Sequence, residues 1–520
     1  MSKNRLARNI GMMSSSVFLS RILGLLRDQV MAFFFGTTFI SDAFNAAFNL
    51  PNLLRRLFGE GALSAAFVPI YNEIGYKRGK EAQFQFAMKV MLILSACLLI
   101  LTGLGVLLAP VLVRLFFPGF NPQTSALTIK LTRILFPYLF CIGLSSTMIA
   151  ILNSHDKFFM TGLSSGLLNI GWIGFIAIPH FLGVTSPLRL IVYASYGVMF
   201  GGIMQILINL PFLKQLGYQF KVNLNDNKEA MNALGKRFLP GIIGVGVRQI
   251  NLIADNLMAS FLPSGSIAAL MFGNRLMQLP LGIFGIATGT AVLPLFSQYT
   301  VEEKWDELSK SVNFALLSLA NIMIPITIML IALGDDFVRI LFQRGEFGDM
   351  AVAKTYLALL FYSLGLFFFS VNQTLIPLFY ANKDTKTPVI IAASMVTVNI
   401  TLNYILMQYL AHGGLALSTS ITSILTSITL FVLIRKRYTH INFKGLGFNL
   451  LKIVAICMVL LQILLRVSEA YQPEGFWMLL LKSALFSSLT FTIYVGLAIL
   501  FKVKHADYLI KTIWRRFHRN

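Results

Sequence analysis

Apolar residues run through this chain in continuous blocks of about 20, the length an α-helix needs to cross a bilayer, with short polar connectors between them. Blocks without strict alternation exclude a membrane β-barrel, whose strands alternate over roughly ten residues. The pattern predicts an all-α polytopic membrane protein of fourteen spans, at 10–36, 41–72, 88–113, 131–152, 159–180, 190–212, 238–262, 267–299, 312–334, 355–380, 388–408, 414–434, 447–467 and 476–501. The segment PSGS (263–266) reads as a turn, and 213–237 is the longest polar connector. The N-terminal stretch lacks an uninterrupted apolar core and a small-residue cleavage site, and Arg21 interrupts it, so it reads as a retained first helix.

The pattern repeats. Arg21, Asp28, Met31 and Ala32 recur at the same spacing as Arg248, Asp255, Met258 and Ala259, and AFVPIY (66–71) recurs as AVLPLF (291–296). NSHDKF (153–158) answers NKDTKTP (382–388), and LLNI (167–170) answers TVNI (397–400). Two six-helix halves in parallel repeat imply one lobe over 1–212, a cytoplasmic linker at 213–237 and a second lobe over 238–440. Residues 441–520 then add two extra spans and a basic cytoplasmic tail. Duplicated lobes around a central cavity are a transporter architecture.

Composition agrees: 56% of residues are hydrophobic and 12% charged, and mean hydropathy is +0.73. A soluble domain carries about twice that charged fraction. The formal charge of +22 would suggest nucleic acid in a soluble protein, but no nucleic-acid motif accompanies it. With the N-terminus in the cytoplasm, cytoplasmic segments hold 27 Lys and Arg against 8 on the opposite side. Both termini are therefore expected in the cytoplasm. Cys97, Cys141 and Cys457 stand singly in apolar runs, as core residues do, and the scattered histidines give no zinc-like spacing. No phosphate-binding loop, metalloprotease motif or nucleophile elbow occurs, so an enzyme is not expected.

The charges inside the spans carry the functional reading. Arg21, Arg27, Asp28, Asp42, Arg55, Arg56 and Glu60 all lie within or at the ends of the first two spans, and Arg275 in the eighth. An arginine near the bilayer centre costs roughly 2.5–3.5 kcal/mol, so four cost about 10–14. They are expected to line a water-filled cationic cavity for an anionic substrate, since guanidinium forks suit bidentate phosphate recognition. Asp42 and Glu60 are candidates to pair with those arginines in the empty cavity and release them on loading, with Arg56 in the same ion-pair set. Pro51 with Gly59 and Gly61, and Pro280 with Gly282 and Gly285, predict broken helices at matching places in the two halves. The recurring Arg21–Asp28 and Arg248–Asp255 pairs favour a lobe-structural role for Asp28 and Arg248. Asp255, Asn399, Asn403 and Thr419 form a candidate cation site that would couple transport to Na⁺ or H⁺, with interhelical polar packing as the competing reading.

SRILGLLRD, SDAF, PNLLRRLFGEGALSAAFVPIY and NRLMQLPLGIFGIATGTAVLPLFS closely resemble the MurJ (MviN) family of lipid II flippases, in the multidrug/oligosaccharidyl-lipid/polysaccharide (MOP) exporter superfamily. The resemblance spans essentially the whole chain. It implies a bacterial inner-membrane flippase that moves undecaprenyl-diphosphate-linked disaccharide-pentapeptide to the periplasmic leaflet by alternating access. It implies roles in peptidoglycan synthesis, with partners in cell-wall synthesis and division. The family's cavity arginines match Arg21, Arg27, Arg55 and Arg275, and Asp42, Asn52 and Glu60 fall on motif positions. The last two spans would border the family's groove for the lipid tail. Gln278 stands where some relatives have an acid, and Asn399 and Asn403 supply less charge than the cation site of some relatives. Membrane potential is the other candidate drive, worth about 2.3 kcal/mol per charge per 100 mV. A flippase for another polyprenyl-diphosphate-linked glycan is the nearest alternative. A polyprenyl-phosphate-processing enzyme would require clustered acids that the sequence does not offer.

Overall fold

The computed structural model describes residues 3–56, 62–157, 159–218 and 228–506, side chains of several helical stretches excepted. The described chain is helical throughout. In order the helices are α1 (Lys3–Phe35), α2 (Phe39–Arg55), α3 (Ala62–Leu107, broken at Gly79), α4 (Ala109–Phe116), α5 (Pro122–Leu135), α6 (Tyr138–Ser154), α7 (Phe159–Phe181), α8 (Pro187–Gln215) and α9 (Lys228–Ala259). There follow α10 (Ser266–Pro280), a π-helical turn (Leu281–Ile286), α11 (Ala287–Val301), α12 (Trp305–Phe342), α13 (Asp349–Ala381), α14 (Lys386–Leu410), α15 (His412–Arg437), α16 (Leu446–Ala470) and α17 (Phe476–Leu500).

Each expected span coincides with one helix or a short consecutive set of them. Eleven stretches are long and apolar enough to cross a membrane. The expected spans that fall short lie on α1, α2 and α9, which carry Arg21, Arg27, Asp28, Asp42, Arg55, Arg248 and Asp255. Charge lowers their hydropathy, so composition alone misses the helices where chemistry concentrates. The break expected around Pro280 is present: α10 ends there and the backbone widens into the π-helical turn, since proline removes an intrahelical hydrogen bond. On the other side of the repeat, α2 ends four residues after Pro51; Gly59, Glu60 and Gly61 lie outside the described residues.

The chain divides into two compact units, Met1–Ala268 and Ala269–Asn520. The sequence expectation puts the lobe boundary in 213–237. By compactness α9 stays with the first unit, where it packs along α3. The first unit has two cores. Met31, Phe35, Phe44, Leu135 and Trp172 form one around α1, α2, α5 and α7, and Phe67, Tyr71, Phe86 and Ile151 form the other around α3 and α6. Helices α7 and α8 meet so closely that a Cβ on Gly171 would lie 2.8 Å from the Gly197 carbonyl oxygen. Small residues let membrane helices approach in this way, and the contact fixes α7, which bears two residues of the site.

In the second unit α11, α12, α13 and α15 share a core of Phe296, Leu316, Leu375 and Phe379. Helices α16 and α17 are fastened to α12 by apolar packing around Ile453, Cys457 and Tyr494, and by polar bonds. Tyr494 Oη donates to Asn321 Oδ1 at 2.7 Å. Lys482 Nζ lies 2.9 Å from Asp336 Oδ2, with the two side chains 2% and 11% exposed. Cys141 and Cys457 are buried and all three cysteines are free thiols.

Candidate anion-binding cavity

The first unit contains a cavity of about 690 Å³ lined by side chains of α1, α2, α3, α6, α7 and α8. Arg27 and Arg55 both line it, and no carboxylate does. Arg27 is held on three sides. Its Nε and Nη2 donate to Asp28 Oδ1 at 3.1 and 2.7 Å, and Nη1 donates to Asn169 Oδ1 at 3.1 Å. The guanidinium carbon sits 4.5 Å from the centre of the Trp172 ring, a cation–π contact. Trp172 is itself fixed, since its Nε1 donates to Met31 Sδ at 3.2 Å and Phe44 and Phe48 pack on its ring. The cation therefore keeps one orientation before any ligand arrives, which lowers the ordering cost of binding an anion.

Asp28 does more than the expected lobe-structural part, because it neutralises one arginine of the cavity at its own root. The side chain of its repeat partner Arg248 lies outside the described residues. The other expected site residues are distributed differently. Arg21 is exposed and does not line the cavity. Arg275 is half-buried on α10 in the second unit. Asn52 and Arg56 line a separate cleft of about 100 Å³ between α2 and α9, together with Gln249 and Asn256. Asp42 is 4% exposed, and its two oxygens accept from the backbone N–H groups of Gly265 (2.5 Å) and Ala268 (2.8 Å). The carboxylate thus caps the N-terminus of α10, where the helix dipole favours negative charge. Glu60 lies outside the described residues.

The cavity also holds residues the sequence reading passed over: Ser146, Asn153, Ser165, Asn169 and Gln205. Neutral amides and hydroxyls in a span look like interhelical bonding, so hydropathy gives them no signal. The repeat did flag two of them, because Asn153 opens NSHDKF and Asn169 is the asparagine of LLNI. Beside this wall, Tyr71 Oη lies 2.8 Å from His155 Nε2 and 2.6 Å from Tyr218 Oη, tying the ends of α3, α6 and α8 together. Burial, then the nearby Lys80, holds the His155 imidazole below its usual pKa.

Within the second unit, the candidate cation ligands bond to protein. Asn403 Nδ2 donates to Asn399 Oδ1 at 3.0 Å, Asn399 Nδ2 to Thr422 Oγ1 at 3.4 Å, and Thr419 Oγ1 to its own helix at Leu415 O. Asp255, in the first unit, accepts from Asn251 Nδ2 at 3.2 Å. No cluster of three His, Cys, Asp or Glu able to hold a metal occurs among the described residues. A second cavity, about 1010 Å³, opens between α12, α13, α15 and α16; Phe367, Phe368, Phe431 and Phe443 line it, and Arg435, His440 and Lys444 are on its loop side.

A family profile described as "Lipid II flippase MurJ" matches residues 31–486. The chain belongs to the lipid II flippase MurJ family. A "Probable lipid II flippase MurJ" of Rickettsia prowazekii is 32% identical over 502 residues, covering 95% of this chain and 96% of the relative. A "Lipid II flippase MurJ" of Burkholderia cenocepacia is 33% identical over 431 residues, with 82% and 83% covered. The solved structure "Lipid II flippase MurJ, inward closed conformation" superposes with a TM-score of 0.78 at 28% identity, covering 94% of this chain and 98% of that one. An inward-facing multidrug resistance MATE transporter of the MOP superfamily matches at a TM-score of 0.68 and 17% identity over 81% of this chain and 95% of its own, a likeness of fold. MurJ-family membership makes this chain a multi-pass membrane transporter rather than a catalyst.

Proposed function

We propose that the chain carries lipid II, an undecaprenyl-diphosphate-linked disaccharide-pentapeptide, across the bacterial inner membrane from the cytoplasmic to the periplasmic leaflet by alternating access. The observation that carries this reading beyond family membership is the acid-free cavity with Arg27 clamped at one wall and Arg55 also lining it. A diphosphate needs cationic donors with fixed geometry, and guanidinium forks supply them. The uncharged remainder of the wall suits a hydrated sugar–peptide head, while the prenyl tail stays in lipid. A drug exporter handling cations would need an acidic or neutral wall instead.

The Lys and Arg bias supports cytoplasmic termini, and a Na⁺ or H⁺ gradient or the membrane potential would supply the drive. Partners in cell-wall synthesis follow from the substrate. The test is complementation in a bacterium depleted of its own lipid II flippase. Wild type should rescue growth, and Arg27→Ala and Arg55→Ala, inserted at normal abundance, should fail. Full rescue by both variants would remove this cavity from the transport path. Failure of inserted wild type would move the assignment to another polyprenyl-linked glycan.

A further inference from the structure

Sixteen residues line the first unit's cavity: two are arginines, none is a carboxylate, and eight are uncharged Asn, Gln or Ser. Diphosphate recognition uses the arginines and leaves this uncharged majority without a task. The majority is not spread evenly over the lining. Ser146 and Asn153 come from α6, Ser165 and Asn169 from α7 and Gln205 from α8, so three consecutive helices build it.

Gln205 is the most telling member. It is 3% exposed, and its Nε2 donates to the Ser164 main-chain oxygen at 2.9 Å, which fixes which end of the amide is nitrogen. Its carbonyl Oε1 is buried and accepts no hydrogen bond among the described residues. A buried acceptor left without a donor is costly, and proteins keep one where something else completes it. Asn169, 6% exposed, has a similarly fixed amide: Oδ1 accepts from Arg27 and Nδ2 donates to Ser165 O at 3.3 Å. The wall thus offers oriented amides and hydroxyls next to the clamped cation, with the buried Tyr138 ring alongside as an apolar face.

We infer that this wall of α6, α7 and α8 is a saccharide subsite, with Asn153, Asn169 and Gln205 reading the hydroxyl and acetamido groups of the sugar next to the diphosphate. Sugars present many neutral donors and acceptors and an apolar ring face, which is what the wall matches. The peptide stem carries carboxylates, and only Arg27 and Arg55 offer them charge here. Asn169 then has two tasks, orienting Arg27 and facing the sugar, so diphosphate and sugar are read in one fixed register. The cavity volume of about 690 Å³ is in the range of small-molecule pockets.

The inference rests on the lipid II reading, and its test separates the two. The purified full chain is titrated, with native mass spectrometry as readout, against lipid II and against undecaprenyl diphosphate, which lacks sugar and peptide. Gln205→Leu and Asn153→Leu should each weaken lipid II about five- to tenfold, the worth of one buried hydrogen bond, and leave undecaprenyl diphosphate unchanged. Unchanged diphosphate binding also reports that the variant is folded. Arg27→Ala should weaken both ligands alike. Wall variants that lose both ligands equally, or neither, overturn the saccharide subsite while lipid II binding by wild type stands. Wild type that binds undecaprenyl diphosphate as tightly as lipid II overturns it too, whereas wild type that binds neither overturns the flippase reading itself.

Discussion

The two units descend from one repeat, yet their cavities have opposite character. The first unit's cavity is lined with arginines, amides and hydroxyls, and the second unit's, the larger, with phenylalanines. Corresponding positions show how the divergence came about. Asn169 of LLNI takes a guanidinium, whereas Asn399 of TVNI bonds Asn403 and Thr422. Asp28 clamps Arg27, while Asp255 accepts from Asn251. The backbone plan was duplicated and the polar chemistry then concentrated in one half. The second unit kept its polar side chains as interhelical bonds and added a buried ion pair to anchor α17.

That contrast can be broken in three places. The largest effect is expected in the second unit. Lys482→Met leaves Asp336 buried without its cation, which typically costs about 3–5 kcal/mol. Thermal unfolding of the purified chain should show it, and adding Asp336→Leu should recover most of the loss. If the single variant is neutral, the pair is not what holds α17 to α12.

A smaller effect belongs to the first unit. Asp42→Asn keeps one accepting oxygen for Gly265 or Ala268 and puts an N–H against the other amide, at a cost of about 1.5–3 kcal/mol. Amide hydrogen exchange at both residues should speed up. Unaltered exchange would mean that the α10 cap does not depend on the carboxylate.

The smallest effect is a difference in acid sensitivity. Burial, then Lys80, depresses the His155 pKa from 6.5, so its contribution to stability is full above that value and is lost as pH falls through the lower folded value. In the second unit's loop, burial raises the Asp384 pKa, but bonds from Thr387 and the Arg437 charge outweigh it and hold the carboxyl below 3.8. Its contribution is full above 3.8 and lost as pH falls through the folded value. His155→Gln should therefore flatten the stability profile just below pH 6.5, and Asp384→Asn only at more acidic pH. A His155→Gln profile that matches wild type would place the sensitive group elsewhere.

Much of this organisation was legible in the chain. Block length gave the helices, and the recurrence of short motifs gave the repeat. Pro280 gave the broken helix, and the cost of burying charge pointed to Arg27 and Arg55. The rest was hidden for identifiable reasons. Arg21 and Arg275 look the same as Arg27 in a hydropathy pattern, because sequence does not say which face of a helix meets a cavity. Asp28 adjoins Arg27 in the chain, and adjacent residues on a helix ordinarily point apart, so their pairing had no periodic signature. Asp42 read as a charge partner because backbone N–H groups at a helix start leave no trace in composition. Gln205 carried no signal at all, being one neutral amide in an apolar run.

The π-helical turn after Pro280 sets a constraint on how this lineage can change. Such a turn holds its extra backbone as one residue more than an α-helix would use. Deleting any single residue in Leu281–Ile286 would restore the tighter winding and swing α11 by about 100°. Gly289, where a Cβ would lie 2.4 Å from the Gln373 carbonyl oxygen, would leave its contact with α13, and a larger side chain would arrive there. Substitutions in this segment are therefore open to drift, while its length is not. Alignments of descendants should show variable letters here and no gaps.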